Sequence, residues 1–371
     1  MKIAMFGHKR IPSREGGVEI VAEELSVRMA AMGHTVICYN RGGHHVSGAE
    51  FDCAAQEQYK GVHLKTVPTL DKKGLAAVSS SFFAAVRAAF GKADVVHIHA
   101  EGPAFMSWLP KLLGKRVVVT IHGLDWQREK WKQGFGSKYI RLGEKMAVRF
   151  ADEIIVLSRN VQNYFRDIYG RETVFIPNGV NLPEIVPANQ IFGQYGLRKE
   201  EYLLFLGRLV PEKGVHYLIE AFRQLDTDKK LVIAGGSSDS GDYADRLKKL
   251  AAGDDRILFT GFVQGRLLEE LYSNAYLYVL PSDVEGMPLS LLEAMSYGNC
   301  CVVSDIPECA EVVEAHGALF EKGNIPALRE LLQQLCAAPE QVRGYKETAQ
   351  SYICNKYNWD AVAEKTLELY R

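Results

Sequence analysis

The chain has 371 residues, 47% of them hydrophobic and 24% charged, with a net charge of -1. That length predicts two domains, each able to bury its own core. The net charge conceals a split: residues 1–170 carry 24 Lys and Arg against 16 Asp and Glu, and residues 171–371 carry 20 against 29. A basic front half points to an anionic partner, with nucleic acid, a membrane surface and phosphorylated small molecules as candidates. Seven cysteines with no CxxC pair argue against a disulfide framework or a zinc site and favour a reducing cytosol. No apolar run approaches the ~20 residues of a membrane span, and "MKIAMFGHKR" is too short and charged for a signal peptide. The expectation is a cytoplasmic protein, free or peripheral on the inner face of the cell membrane.

In chain order, "KIAMF", "TVICY", "VHLKTV", "DVVHI", "RVVVTI", "EIIVL" and "TVFI" read as buried strands in the first half, and "YLLFL", "KLVIAG", "ILFTG", "AYLYVL" and "CCVVS" in the second. Continuous apolar strands alternating with amphipathic helices predict an α/β protein with parallel sheets covered on both faces. In the first helix Val18, Val21, Ala22, Leu25 and Met29 share a face, Glu19, Glu23 and Arg28 fall off it, and Gly33 ends it. The Pro-rich, aperiodic segment Pro177–Gln190 breaks the rhythm and marks the join between two doubly wound domains. The boundaries read as 1–182, a linker at 183–190, 191–355, and a closing helix 356–371 packing back on the first domain. Ligands of open α/β sheets bind at the carboxyl ends of the strands, and two such domains would set these ends around one cleft.

The loop after the first strand, "HKRIPSREGGVE", carries His8, Lys9, Arg10, Arg14, Gly16 and Gly17. It lacks GxGxxG, so it is not a dinucleotide fingerprint. It reads either as a solvated basic loop or as an anion site whose glycines admit a ligand close to the backbone. In "FLGRLVPEKGVHYLIEAF", Arg208 and Lys213 follow a strand and precede a helix. A guanidinium, an ammonium and helix N–H groups suit a diphosphate, although two solvated cations would look the same. In "LPSDVEGMPLSLLEAMSYG", Glu285 precedes a helix and Glu293 lies within it. Ordered carboxylates accept hydrogen bonds from the paired hydroxyls of sugars and riboses. The plain alternatives are a capping acid and a solvated helix face.

Residues 107–149 hold ten Lys and Arg and three Asp and Glu, interleaved with apolar and aromatic residues. Trp108, Lys111, Lys115, Arg116, Trp126 and Trp131 could rest on an anionic bilayer or bind nucleic acid, or simply form a charged face. His97 and His99 share one face of a strand and read as core or cleft-lining groups rather than a metal pair. His44 and His45 sit in a Gly-rich loop, solvated or part of a mobile active-site loop. The spaced acids of Ser237–Tyr243 read as a helix start, and no metal ion is expected.

Five ordered stretches, Gly16-Gly17, "TIHGLD" (Thr120–Asp125), "PNGV" (Pro177–Val180), Gly207-Arg208-x4-Lys213 and Glu285-x7-Glu293, resemble the family 4 retaining glycosyltransferases of GT-B fold over essentially the whole chain. The opening segment is similar to bacterial polysaccharide glycosyltransferases that include rhamnosyltransferases. The resemblance implies two facing Rossmann-like domains, the first binding acceptor and the second a nucleotide sugar, with the active site in the cleft between them. Arg208 and Lys213 would bind the nucleotide diphosphate, Glu293 the ribose and Glu285 the transferred sugar. The backbone of Gly286, Met287, Pro288 and Leu289 would contact sugar and phosphate, Val263 the nucleobase edge, and His122 the donor sugar. Gly16 and Gly17 would complete the donor site. Arg10, Arg14, Trp108, Lys111, Lys115 and Arg116 would serve the acceptor or membrane side.

On this resemblance the donor is a UDP- or dTDP-sugar, the acceptor a glycan or lipid-diphosphate-linked glycan, and the setting the biosynthesis of capsule or another cell-surface polysaccharide. No cofactor is required and no nucleic acid is expected. Another GT-B activity, a nucleotide-sugar epimerase or a disaccharide synthase, is the alternative within enzymes. A nucleic-acid-binding protein is the alternative outside them.

Overall fold

The computed structural model describes residues 1–43, 56–70, 72, 74–127, 135–236 and 241–371. His44, His45, Cys53, Trp131 and Ser237–Ser240 lie outside the described residues. The chain divides into two units, the first made of Met1–Asn178 with Trp359–Arg371 and the second of Gly179–Asn358.

The first unit is built on an eight-stranded sheet. Its strands are β1 (Lys2–Phe6), β2 (Thr35–Arg41), β3 (Gln58–Tyr59), β4 (Val62–Val67), β5 (Val95–His99), β6 (Arg116–Ile121), β7 (Glu153–Val156) and β8 (Val174–Phe175), in the order β3-β4-β2-β1-β5-β6-β7-β8. All pairs are parallel except β3 with β4. Parallel strands need helical crossovers, so both faces are covered and the strands are apolar throughout. Ala4, Phe6, Val96, Ile98, Val117, Val119 and Ile154 are buried in one core with Ala84, Ala88 and Phe165 from the helices. The helix Trp359–Glu368 completes this unit against the helix Gly17–Ala31, where Arg28 Nε meets Asp360 Oδ1 at 2.7 Å.

The first helix departs from its sequence pattern at one residue. Glu19 is buried, although the spacing puts it off the apolar face. Its carboxylate turns back to accept the backbone N–H of Lys9 at 2.9 Å, which replaces the water it would lose by burial.

The second unit carries β9 (Tyr202–Leu206), β10 (Lys230–Ala234), β11 (Ile257–Gly261), β12 (Leu277–Leu280), β13 (Cys301–Ser304) and β14 (Ala318–Phe320) in the order β11-β10-β9-β12-β13-β14, all parallel. Each sheet therefore has a switch point, a central strand with crossovers leaving in opposite directions. In the first sheet it lies between β1 and β5, in the second between β9 and β12. Crevices open at the carboxyl ends of strands at such points, which puts the loops after β1, β5, β9 and β12 where ligand chemistry is to be sought. Among the described residues, no helix is long and apolar enough to cross a membrane.

Candidate active site

In the second unit, β9 ends at Leu206 and the chain continues through Gly207 and Arg208 into a single turn, Pro211–Lys213, and the helix Val215–Phe222. Gly214 joins turn to helix with φ +64, and a Cβ there would sit 1.9 Å from the carbonyl oxygen of Pro281. Only glycine fits, so the loop after β9 is seated on the loop after β12. The seat is reinforced where Asp283 N donates to Glu212 O at 2.8 Å and Tyr217 Oη donates to Asp283 Oδ2 at 3.2 Å.

This seating brings Lys213 to Glu285. Their Nζ and Oε1 atoms are 2.5 Å apart, with side chains 13% and 9% exposed. Ser282 Oγ donates to the same carboxylate oxygen at 2.6 Å. The N-cap of the helix Leu289–Ser296 is Pro288, whose side chain makes no cap; the Glu285 carboxylate belongs to the ion pair. Within that helix Glu293 Oε2 accepts from Tyr272 Oη at 3.3 Å, and the Tyr272 ring stacks on Tyr297 at 5.2 Å. Tyr278 Oη donates to Ser290 Oγ at 2.9 Å, tying the same helix to its strand. The backbone between the two glutamates, Gly286, Met287, Pro288 and Leu289, is buried. Val263 is buried in the loop after β11. The carboxyl end of this sheet thus carries a cation and two oriented carboxylates, the groups that a nucleoside diphosphate and vicinal hydroxyls each require.

The Asp226-Thr227-Asp228 stretch lies just before β10, at the amino end of that strand. Among the described residues, no group of three or more His, Cys, Asp or Glu side chains could hold a metal ion.

In the first unit, the basic loop after β1 answers part of its charge internally. Lys9 Nζ lies 3.6 Å from Glu15, and Arg10 Nη2 donates to Gly43 O at 2.5 Å. Gly16 precedes its helix in extended conformation, and a Cβ there would meet the Glu19 carboxylate at 2.6 Å. Gly17 opens the helix, and Arg14 is exposed.

His8 is neutral, its pKa lowered to about 4 by burial. Asn40 is held by Ile11 on both sides of its amide, taking Ile11 N on Oδ1 at 3.2 Å and donating to Ile11 O at 3.1 Å. Its Oδ1 therefore accepts from His8 Nε2 at 3.1 Å, leaving the His8 Nδ1 lone pair bare.

His97 and His99 are core groups, stacked at 4.3 Å. His97 bonds Thr120 Oγ1 at 2.7 Å and Tyr370 Oη at 2.6 Å, and burial lowers its pKa to about 3. His99 Nδ1 lies 3.1 Å from His122 Nε2. His122 thus receives an oriented neighbour that its own motif does not reveal.

On the basic stretch, Lys111 pairs with Asp152, Lys115 Nζ donates to Gly91 O at 2.9 Å, and Arg116 Nε donates to Leu369 O at 2.6 Å. Trp108 is half-buried. These three cations serve the unit's own helix ends. Exposed apolar side chains occur on the same stretch and on its neighbour, Leu112 and Leu113 at the end of the helix Trp108–Leu112, and Phe82, Phe83 and Phe90 on the helix Leu75–Phe90 packed against it.

Two family models match the chain, Glycosyltransferase Family 4 over residues 15–184 and Glycosyl transferases group 1 over residues 188–359. Alpha-maltose-1-phosphate synthase of Mycobacterium tuberculosis is 25% identical, the match covering 100% of this chain and 99% of the relative. Among solved structures, sucrose-phosphate synthase from Thermosynechococcus elongatus superposes with a TM-score of 0.85 at 22% identity, covering 100% of this chain and 98% of its own. The Anabaena protein HepE, solved with UDP and glucose, gives 0.80 at 19% identity, covering 99% and 98%.

Proposed function

The chain belongs to the family 4 glycosyltransferases of GT-B fold, and on that premise we propose that it is a retaining enzyme moving a sugar from a UDP- or dTDP-sugar to a glycan acceptor. The observation that carries this reading is the Lys213–Glu285 pair, held by Ser282 at the exits of β9 and β12. A nucleotide diphosphate would draw Lys213 away from Glu285 and hold it together with Arg208. The released carboxylate would then accept from hydroxyls of the transferred sugar. Glu293, steadied by Tyr272, suits the ribose, the backbone from Gly286 to Leu289 the sugar and phosphate, and Val263 the base edge. Gly16, Gly17 and His122, in the first unit, keep the roles that the family resemblance implies for them.

Among the described residues none is a persuasive covalent nucleophile, so the reaction reads as a front-face displacement. As the C–O bond to the diphosphate breaks, Arg208 and Lys213 stabilise the departing charge. The leaving phosphate oxygen takes the proton of the acceptor hydroxyl as that oxygen bonds to the anomeric carbon. No metal is assigned to the step. The acceptor is read as a lipid-diphosphate-linked glycan of capsule or another surface polysaccharide, with Arg10 and Arg14 on its side and a rhamnosyl group as one candidate cargo.

The test is a panel of UDP-, dTDP- and GDP-sugars assayed for hydrolysis and transfer. Turnover should appear with at least one donor and fall by orders of magnitude in Glu285→Ala and Arg208→Ala; binding of none overturns the reading. A second reading, attachment to a membrane surface, draws on Phe82, Phe83, Phe90, Leu112 and Leu113, exposed on and at the end of two packed helices in a basic stretch of the chain. Flotation with anionic liposomes supports it, and equal flotation with neutral ones removes the electrostatic part.

A further inference from the structure

Glu101 follows β5 and Glu144 lies in the helix Phe135–Phe150, and both side chains are fully buried. Two of their four carboxyl oxygens have ordinary donors. Glu101 Oε2 accepts from Asp125 N at 2.8 Å, and Glu144 Oε2 accepts from Tyr164 Oη at 3.0 Å and Tyr169 Oη at 2.7 Å. The two Oε1 atoms are buried and receive no N–H or hydroxyl donor, and the two residues are neighbours where Gly143 packs on the Glu101 backbone. Among the described residues, no Lys or Arg pairs with either.

A Cβ on Gly143 would sit 1.9 Å from the carbonyl oxygen of Glu101, so the backbones are already in contact. The residue before Glu101, Ala100, holds φ +73, a left-handed conformation that a non-glycine residue adopts only when its surroundings impose it. Two bare carboxylates in this position would repel in a medium with little screening. One proton between them removes the repulsion and satisfies both orphan oxygens at once.

We propose that Glu101 and Glu144 share one proton in the core of the first unit, and that this pair positions the loop His122–Gln127 through the Asp125 amide. Glu101 is thereby a positioning residue for His122, three residues upstream of Asp125. The consequence for transfer rests on the role given to His122 above; the shared proton does not. The groups facing Glu101 agree with this assignment. Asp125 from the loop and Glu144 from the long helix add negative charge, and Tyr164 and Tyr169 donate to Glu144 and not to Glu101. Burial first, then Asp125 and Glu144, hold the Glu101 carboxyl well above the usual carboxylate range.

The test compares urea unfolding of the whole protein and of Glu101→Gln from pH 5 to pH 8. The amide side chain of that variant keeps a carbonyl for Asp125 N–H and an N–H for Glu144, with no proton to lose. Folding of the wild type takes up a proton once pH exceeds the unfolded carboxylate range, so stability from this group is lost as pH rises toward the folded value. The unfolding constant of wild type relative to Glu101→Gln should therefore grow with pH, by up to about tenfold per unit. A flat ratio overturns the shared proton. Glu144→Gln, which also removes the repulsion, should flatten the wild-type slope in the same way and serves if Glu101→Gln fails to fold.

Positioning is read by hydrogen exchange at residues 122–127 and by transfer kinetics. Protection at Asp125 should survive in Glu101→Gln and fall at least tenfold in Glu101→Leu. A kcat within about threefold of wild type should accompany the first variant and a loss of kcat the second. Unchanged protection in Glu101→Leu overturns the positioning role. If no donor is turned over by any form, the catalytic reading fails alone, and the pH slope and the exchange still decide the pair.

Discussion

Replacing Lys213 by Met tests the ion pair and the donor site together. The substitution keeps the apolar stem and removes the ammonium. At 2.5 Å, with both side chains nearly buried, the attraction at an effective dielectric near 20 is about 7 kcal/mol before desolvation is subtracted. The measured loss is smaller, because removing one partner exposes mainly the cost of a stranded charge, about 3–5 kcal/mol for a buried pair. Ser282 still donates to Glu285 and some solvent reaches the carboxylate, so about 2–4 kcal/mol is expected. For a unit spanning residues 179–358, that lowers its melting transition by roughly 4–16 °C. The double variant Lys213→Met/Glu285→Gln should recover most of the loss, since no unpaired charge then remains buried. Affinity for UDP, read by titration calorimetry, should fall about 10- to 150-fold in the single variant, the worth of one charge-assisted hydrogen bond. A melting temperature within 1 °C of wild type (an instrumental margin, roughly 0.3–0.5 kcal/mol), or a double variant no more stable than the single, would refute the reasoning.

Gly214→Ala should be more damaging than its size suggests. It places a Cβ 1.9 Å from Pro281 O at positive φ, so the loop after β9 must lift from its seat. A loss of at least about 2 kcal/mol in urea unfolding is expected, with UDP affinity weakened because Lys213 moves with the loop; wild-type values of both would contradict the seat. The first unit should be acid-sensitive. His8 and His97 have pKa values lowered to about 4 and about 3, and burial pushes His99 well below its usual range. A base held neutral in the fold contributes stability that is intact above its unfolded value near 6.5 and is lost as pH falls below it. Between pH 6.5 and 5 each histidine withdraws up to about 2 kcal/mol, against the opposite and smaller trend of Glu101. Urea midpoints at pH 7.5 and 5.2 check the sign, and a midpoint that rises on acidification would refute it.

The core strands were legible because parallel strands are apolar from end to end, as in "RVVVTI" and "YLLFL". The two elements without such a run, β3 with two residues and β14 with three, left too little pattern to read. At the site, the residue types at Arg208, Lys213, Glu285 and Glu293 were legible from their place between strand and helix. Their partners were not. Lys213 and Glu285 are 72 residues apart, and Glu293 is steadied by a tyrosine 21 residues away. The capping role open to Glu285 is local and looks plausible in sequence, whereas its ion pair joins two loops far apart in the chain. Glu19 shows the same limit. Helical periodicity assigns it to solvent, and a single backbone donor ten residues away holds it inside. Glu101 and Glu144 left no mark at all, since one glutamate in "AEGPAF" and one in "RLGEKMAVRF" resemble any other.

The closing segment sets an order of events during synthesis. His97 waits for Tyr370, 273 residues later, and Arg116 for the carbonyl of Leu369. At ribosomal rates of about 5–20 residues per second, the whole second unit, residues 179–358, passes through the exit tunnel in roughly 10–40 s before those partners appear. For that interval the first sheet stands with His97 Nδ1 without its Tyr370 partner and the face of its first helix uncovered. A nascent chain in this state is a natural client for chaperones. A transcript broken anywhere ahead of Trp359 yields a protein whose first unit lacks its last helix, however intact residues 1–178 are.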